Sequence, residues 1–284
     1  MVSRKFKPPN DFARSSVTMK KLISLVLFSF SIASAQQIAY TVKDQEGKPL
    51  PYVSIQVNDR YGILTDNAGK FTLYNYEKPQ HLLFEKVGFS SLNITHDKLN
   101  QVVVLEKLPE KALTPLIQGT KVLNLGYSKK QKLIKDIRFR ANYNYEAGIT
   151  LPYETRYKSM LLAKVRLMVY FPEKTSFPLR LNVYSLDSKG APARNLLHKE
   201  IIFQAPNTKQ WTEISLEEQG IPFPESGVAL TVELLNPQMS RVRNSRPIFA
   251  GFEHPFVFRY ELVEGWIAGK GETYAMELEV KGKL

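Results

Sequence analysis

Histidine and cysteine are the residues that most often organise a metal or a nucleophile, and this 284-residue chain has four of the first and none of the second. His81, His96, His198 and His254 stand far apart, without the H-x-x-x-H or H-x-x-E spacing that brings two ligands to one helical face. His254, between Glu253 and Pro255, reads as a loop residue. No metal or cofactor is therefore expected. The absence of cysteine removes disulfides, thiolate catalysis and Cys-ligated zinc. A serine nucleophile would sit in a G-x-S-x-G elbow, whereas Ser226-Gly227 follows Pro224-Glu225 in what reads as a turn. The densest carboxylates are Glu217-Glu218 and the Glu261/Glu264 set, which a solvated face accounts for. Glycoside hydrolysis needs two carboxylates at a defined separation in space, and a hydrolase of that kind stays open as a second alternative. No catalytic residue is assigned, and the expectation is a protein that is not an enzyme.

Binding chemistry has better candidates. Trp211, Trp266, Tyr260 and Tyr274 have rings that could stack on a sugar. Trp211 belongs to the core by its strand position, and Trp266, with Gly265 before it and Gly269 beyond, reads as the surface ring. Arg241, Arg243 and Arg246 lie between Asn236-Pro237 and Pro247 in an apparent loop, and loops at the end of a sandwich commonly carry binding residues. Ligand contacts are thus expected at Trp266, Tyr260, Arg241, Arg243 and Arg246. A further basic run, Lys129-Lys130-Gln131-Lys132 with Lys135, Arg138 and Arg140, resembles an anion-binding stripe or an exposed strand face. The formal charge is +12, and residues 1–35 hold a good part of it, with Arg4, Lys5, Lys7, Arg14, Lys20 and Lys21 against Asp11. The remainder is still basic, which suits either solubility or an anionic partner.

These residues must be positioned by strands. The chain first passes through Met19-Lys20-Lys21, an apolar core from Leu22 to Ile32, and Ala33-Ser34-Ala35. Those are the three parts of a secretory signal, so residues 1–35 are read as an N-terminal extension and signal peptide removed after Ala35. The apolar core is too short to span a bilayer, and no later segment is long and apolar enough to do so. Beyond Gln37 the apolar period becomes two. Ile38, Tyr40 and Val42 share a face, as do Val53, Ile55 and Val57, and then Phe71 and Leu73. Turns come at Asp44-Gln45-Glu46-Gly47 and Asp66-Asn67-Ala68-Gly69, and Pro49 and Pro51 keep the chain around Leu50 extended. Further strands come at Leu82–Phe89, Leu92–Ile94 and Val102–Leu105. About seven short strands at this spacing make a small β-sandwich.

Val42-Lys43-Asp44, Gly47, Pro49-Leu50-Pro51, Val53, Ile55, Gly62, Thr65-Asp66, Gly69, Phe71 and Val87-Gly88-Phe89 resemble the carboxypeptidase regulatory-like domain of exported Bacteroidetes proteins. The likeness covers residues 37–106. It implies a transthyretin-like seven-stranded sandwich with an accessory role and no peptidase activity, since the regulatory domain does not hold the zinc. The same domain precedes the plug and barrel of TonB-dependent receptors, but too few residues remain here for that architecture to be expected.

Residues 36–106 are read as this sandwich, residues 107–132 as a linker and entry strand, and residues 133–284 as a jelly-roll-like β-sandwich. Alternation through Met160–Phe171, Leu179–Leu186, Trp211–Leu216, Val228–Leu235 and Tyr274–Val280 supports the last, with Asp187-Ser188-Lys189-Gly190 as a turn. Val183-Tyr184, Gly190, Trp211, Ile221-Pro222-Phe223-Pro224 and Gly227-Val228 are similar to the sandwich region found after the regulatory domain in many such proteins. The expected class is all-β. The expected function is that of a non-enzymatic, exported cell-envelope accessory or binding protein, periplasmic or outer-membrane associated or extracellular. Its partner would be an envelope protein or a glycan rather than nucleic acid. Carbohydrate binding or adhesion through the later sandwich is the first alternative.

Overall fold

A computed structural model describes residues 38–59, 61–73, 81–109, 121–127, 136–138, 145–172, 177–235, 248–259 and 265–282. The signal segment, the 241–246 arginines, Tyr260, Glu261 and Glu264 lie outside the described residues, as does the lysine run 129–135. The first seven strands are β1 (Ile38–Lys43), β2 (Ser54–Val57), β3 (Tyr61–Leu64), β4 (Lys70–Leu73), β5 (His81–Glu85), β6 (Leu92–Thr95) and β7 (Val102–Val104). They form a three-stranded sheet in the order β4-β1-β7 and a four-stranded sheet in the order β3-β2-β5-β6. The sheets meet through Phe71, which stacks on Tyr40 at 5.1 Å within its own sheet and sets its edge against Phe84 of the other at 5.8 Å. Val53, Ile55 and Val57 are buried between them, as their alternation requires.

Turn chemistry sets the registers. Asp44 Oδ1 accepts the Lys48 amide at 2.7 Å, and Asp66 Oδ1 accepts the amides of Ala68 and Lys70 at 2.9 and 2.8 Å. Gly69 closes the second turn at φ +70°, and a Cβ there would sit 2.6 Å from the Val42 carbonyl oxygen, so glycine is required twice over. Thr65 is wholly buried. Its hydroxyl donates to the Leu50 carbonyl at 2.7 Å and accepts the Val53 amide at 2.9 Å, which pins the Pro-Leu-Pro segment to the end of β3. Tyr52, just after that segment, has φ +54°, a left-handed conformation that a residue with a large side chain rarely adopts.

The later strands are β8 (Lys121–Gly126), β9 (Asp136–Arg138), β10 (Glu146–Leu151), β11 (Met160–Tyr170), β12 (Leu179–Leu186), β13 (Pro192–Asn195), β14 (Ile201–Phe203), β15 (Trp211–Ser215), β16 (Val228–Leu234), β17 (Ile248–Arg259), β18 (Ile267–Tyr274) and β19 (Met276–Gly282). All are joined in one network whose main path runs β13-β12-β16-β10-β17-β11-β19-β8. β17 is the corner. It pairs with β11 through Ile248 and Phe249 and with β10 through Phe256–Arg259, so the two halves of the network fold onto each other. Ile149, Leu181, Val183, Leu230 and Val232 from one half share a buried core with Val165, Leu167, Phe252, Met276 and Leu278 from the other. The architecture is all-β, in packed sheets.

His254 is not in a loop. It lies inside β17, because residues 248–259 extend into a long hairpin with β18. Pro255 is accommodated where β17 has β18 on one side and, among the described residues, no partner on the other. The Tyr274–Val280 alternation is interrupted at Ala275, which separates β18 from β19.

Residues 39–72 and 78–284 make one contact unit that includes both groups of sheets; the other unit, residues 1–38 and 73–77, falls almost wholly outside the described residues. Among the described residues no helix is long and apolar enough to cross a membrane.

Candidate functional site

The strands of one half of the large network alternate as the sequence implies. Leu179, Leu181 and Val183 of β12, Val228, Leu230 and Val232 of β16, and Ala147, Ile149 and Leu151 of β10 face the core. The opposite face should be wet, yet Arg180, Asn182, Thr231, Glu233 and Glu146 on it are all buried. Their cover comes from elsewhere in the chain, namely the junction with the first sandwich, the β13–β14 segment, and Trp266 at the start of β18.

Strand register draws these residues into a row. Arg180 pairs with Glu233, Glu233 with Glu146, and Glu146 with Arg259, across four neighbouring strands. The charges read plus, minus, minus, plus. Two residues along, Gly148 stands beside Thr231, and a Cβ on it would meet the Thr231 Cα at 2.6 Å, so glycine lets β10 lie close to β16.

The Glu146 end of the row is saturated. Arg259 donates to Glu146 Oε2 from Nε at 2.9 Å and from Nη2 at 2.7 Å, Asn182 donates to Oε1 at 2.8 Å, and Thr231 donates to the same oxygen. The Tyr184 hydroxyl stands 3.4 Å from Oε2. Asn195 extends the network by donating to Asn182 Oδ1 at 3.1 Å. Burial, reinforced by the Glu146 charge, holds the Tyr184 phenol well above its ordinary range. Burial works most strongly against the Arg259 guanidinium, but electrostatic attraction to Glu146, Tyr184 and Glu233 and the hydrogen bond to Glu146 together outweigh it and keep that proton more tightly held than usual.

The Glu233 end is different. Arg180 Nη2 donates to the carbonyl of the left-handed Tyr52 at 2.6 Å. Its Nε lies 3.2 Å from Glu200 Oε1 and 3.6 Å from Glu233 Oε2. Lys86 completes the junction, 2.6 Å from Glu200 Oε2 and donating to the Pro51 carbonyl at 2.9 Å. Three atoms in this cluster, Arg180 Nε, Glu200 Oε1 and Glu233 Oε1, are buried and without a hydrogen-bond partner. Such an atom costs about 1–3 kcal/mol, more when charged. Burial raises the Glu233 carboxyl above the usual glutamate value, opposed by Arg180 and abetted by Glu146. Burial also lowers the Lys86 ammonium, only partly offset by Glu200.

Against this face lies a cavity of about 670 Å³. Arg180, Asn182, Tyr184, Glu233 and Arg259 line it from the large network, Ser54, Gln56, Glu85 and Lys86 from the first sandwich, and Ala193–His198 from β13 and beyond. Ile221, Pro222, Pro224 and Trp266 supply apolar wall.

Of the residues expected to contact ligand, the structure brings Trp266 to the cavity and leaves Tyr260, Arg241, Arg243 and Arg246 outside the described residues. Trp266 is not the free surface ring that its glycine neighbours suggest. It is half-buried, over Ala229 and Val257, with Tyr184 edge-on at 5.5 Å and the Arg259 guanidinium 4.7 Å from its centroid. It walls the site rather than offering an open platform. Trp211 packs on the core beside Tyr127 at 5.4 Å, and Tyr274 is buried on Phe249 at 4.3 Å. Glu217 pairs with Lys281 at 2.7 Å. Glu146, Glu200 and Glu233 have no neighbours of their own kind in sequence. Their signal is subtler: a charge set inside an apolar run, as in Val232-Glu233-Leu234 and Leu179-Arg180-Leu181.

No protein-family model and no curated protein matches this chain. Among solved structures it is similar to the VP2 subviral particle of infectious bursal disease virus, at 8% identity over 86% of this chain and 63% of that one, with a TM-score of 0.25. It is also similar to a structure of the Gx strain of the same virus, at 12% identity over 86% of this chain and 64% of that one, with a TM-score of 0.18. A carbohydrate-binding module of the β-sandwich superfamily is similar at 10% identity over 84% of this chain and 85% of that one, with a TM-score of 0.16. The chain thus spans less than two thirds of the viral chains. Scores this low carry no argument about ligand or site.

Proposed function

We propose that this chain is a non-catalytic binding protein that takes a small hydroxyl-rich ligand, of the saccharide type, into the cavity beside the charged row. The observation that supports this most is a pair of buried atoms in the cavity wall that make no hydrogen bond, Glu233 Oε1, an acceptor, and Arg180 Nε, a donor held by Glu200 and Glu233 through charge alone. A hydroxyl group both donates and accepts, so a single diol can complement both. Both atoms lie just behind the cavity surface, on side chains that line it. The volume falls within the range of small-molecule sites, and the mixed wall of Trp266, prolines and amides suits a ring with an apolar and a polar side.

Catalysis is not part of the reading. Glu146 has its oxygens committed to Arg259, Asn182 and Thr231, Glu200 is held by Lys86, and Glu85, the other carboxylate in the cavity wall, belongs to the first sandwich and accepts from Gln56 at 3.2 Å. The signal-like segment before Gln36 and the likeness of residues 37–106 to the carboxypeptidase regulatory-like domain favour an exported accessory protein of a bacterial envelope.

Calorimetric titration of the chain from Gln36 onward against a panel of mono- and disaccharides tests the proposal. Binding is expected for at least one member and should fall about tenfold or more in Glu233→Gln, since a charged hydrogen bond is lost. Absence of binding across the panel, equal binding by Glu233→Gln, or release of reducing sugar from any oligosaccharide would overturn it.

A further inference from the structure

The cations lining the cavity are not equivalent. Lys86 has Glu200 at 2.6 Å, Arg180 has Glu200 at 3.2 Å and Glu233 at 3.6 Å, and Arg259 has Glu146 at 2.7 Å. Arg194 also lines the cavity, is exposed, and has no carboxylate partner among the described residues. It owes its position to an irregular strand. β13 pairs with β12 at Tyr184↔Asn195 and Leu186↔Pro192, so Ala193 and Arg194 together stand opposite Ser185 alone. That two-against-one count is a β-bulge, a device that redirects a side chain and recurs beside binding sites. The bulge leaves Asn195 in the buried network, donating to Asn182 at 3.1 Å, while the residue before it stays at the solvent-facing side of the same cavity.

From this arrangement we infer that the cavity selects an acidic saccharide, a hydroxylated ring bearing one carboxylate as in a uronate, with Arg194 as the residue that sets the preference. The inference rests on the saccharide reading above and deepens it. The acid group lies at the mouth on Arg194, whose planar guanidinium can hold a carboxylate through two parallel hydrogen bonds. The ring hydroxyls point inward to Arg180 and Glu233. An acid placed the other way round would meet the Glu233 carboxylate, while the inner cations Lys86, Arg180 and Arg259 are already paired with Glu200, Glu233 and Glu146, and like charge at close range in a buried setting is strongly unfavourable. Orientation and selectivity therefore arise from the same asymmetry, a cation without a carboxylate partner among the described residues outside, and the Glu233 carboxylate among already paired cations within.

Titrations of matched pairs, glucose against glucuronate and galactose against galacturonate, measure it in the wild-type chain, Arg194→Gln and Glu233→Gln. The acid of at least one pair should bind about tenfold tighter than its neutral partner, and added salt should narrow the gap. Arg194→Gln should bring acid and neutral sugar to equal affinity, with the larger loss falling on the acid, and its exposure means that the fold should survive. Equal affinities in the wild type, or a preference that persists in Arg194→Gln, would overturn the role given to Arg194 and leave the saccharide site standing. No binding of either kind would remove both.

Discussion

The two ends of the charged row are built from the same residue types and differ in how completely they are satisfied. Glu146 and Glu233 are neighbours across β10 and β16, each buried, each beside an arginine. Glu146 collects donors from Arg259, Asn182 and Thr231. Glu233 has Arg180 at 3.6 Å and an oxygen with nothing bonded to it. The desolvation cost of a buried ion is several kcal/mol either way, but only at the Glu146 end do local hydrogen bonds offset it. A saturated network holds strands in register; an unsaturated one beside a cavity retains capacity for a ligand.

That contrast can be broken most forcefully at Glu146. Glu146→Gln removes the fully buried partner of half-buried Arg259 and should destabilise the fold by about 3 kcal/mol, read as a lower urea midpoint with an unchanged slope. A loss below about 1 kcal/mol would mean that the two ends are alike. Trp266→Ala should come next. It strips the apolar cover from Tyr184, Ala229 and Val257 and the ring beneath Arg259, at about 2 kcal/mol for a half-buried aromatic, seen in the same denaturation curves. Glu233→Gln should change stability by no more than about 1 kcal/mol, because the amide loses a charge that burial already disfavours; thermal unfolding at neutral pH checks this. The smallest effect should be in pH dependence. The folded chain holds the Glu233 proton more tightly than the unfolded chain does, so this group adds stability as pH falls through its raised pKa towards the ordinary glutamate range, and loses it as pH rises. Unfolding free energies measured from neutral to mildly acid pH should rise more on acidification in the wild type than in Glu233→Gln.

Much of the fold was legible because its instructions are local. Asp44, Asp66 and Asp187 each head a turn closed by a glycine with positive φ, and all three turns stand where composition put them. The apolar faces of β2, β11, β12 and β16 come from alternation alone. The site was not legible, for a physical reason. Period two separates the faces of a strand, but it cannot say that a second sheet covers the polar face. Arg180 is buried because Tyr52 lies over it, 128 residues earlier in the chain. Loops rich in arginine and paired glutamates attract attention by crowding, whereas Glu146 and Glu233 meet only through strand register.

The place of β19 has a consequence in time. It lies between β11 and β8, the first of which precedes it by more than a hundred residues and the second by more still. The small sandwich can close as soon as β7 is available. The large one leaves β8 and the facing edge of β11 exposed until Met276–Gly282 arrives, and such long-separated pairings are slow to form and prone to mispairing. Shortening the chain by that strand should therefore produce aggregation during synthesis rather than a smaller stable protein, with the small sandwich surviving as a protease-resistant fragment.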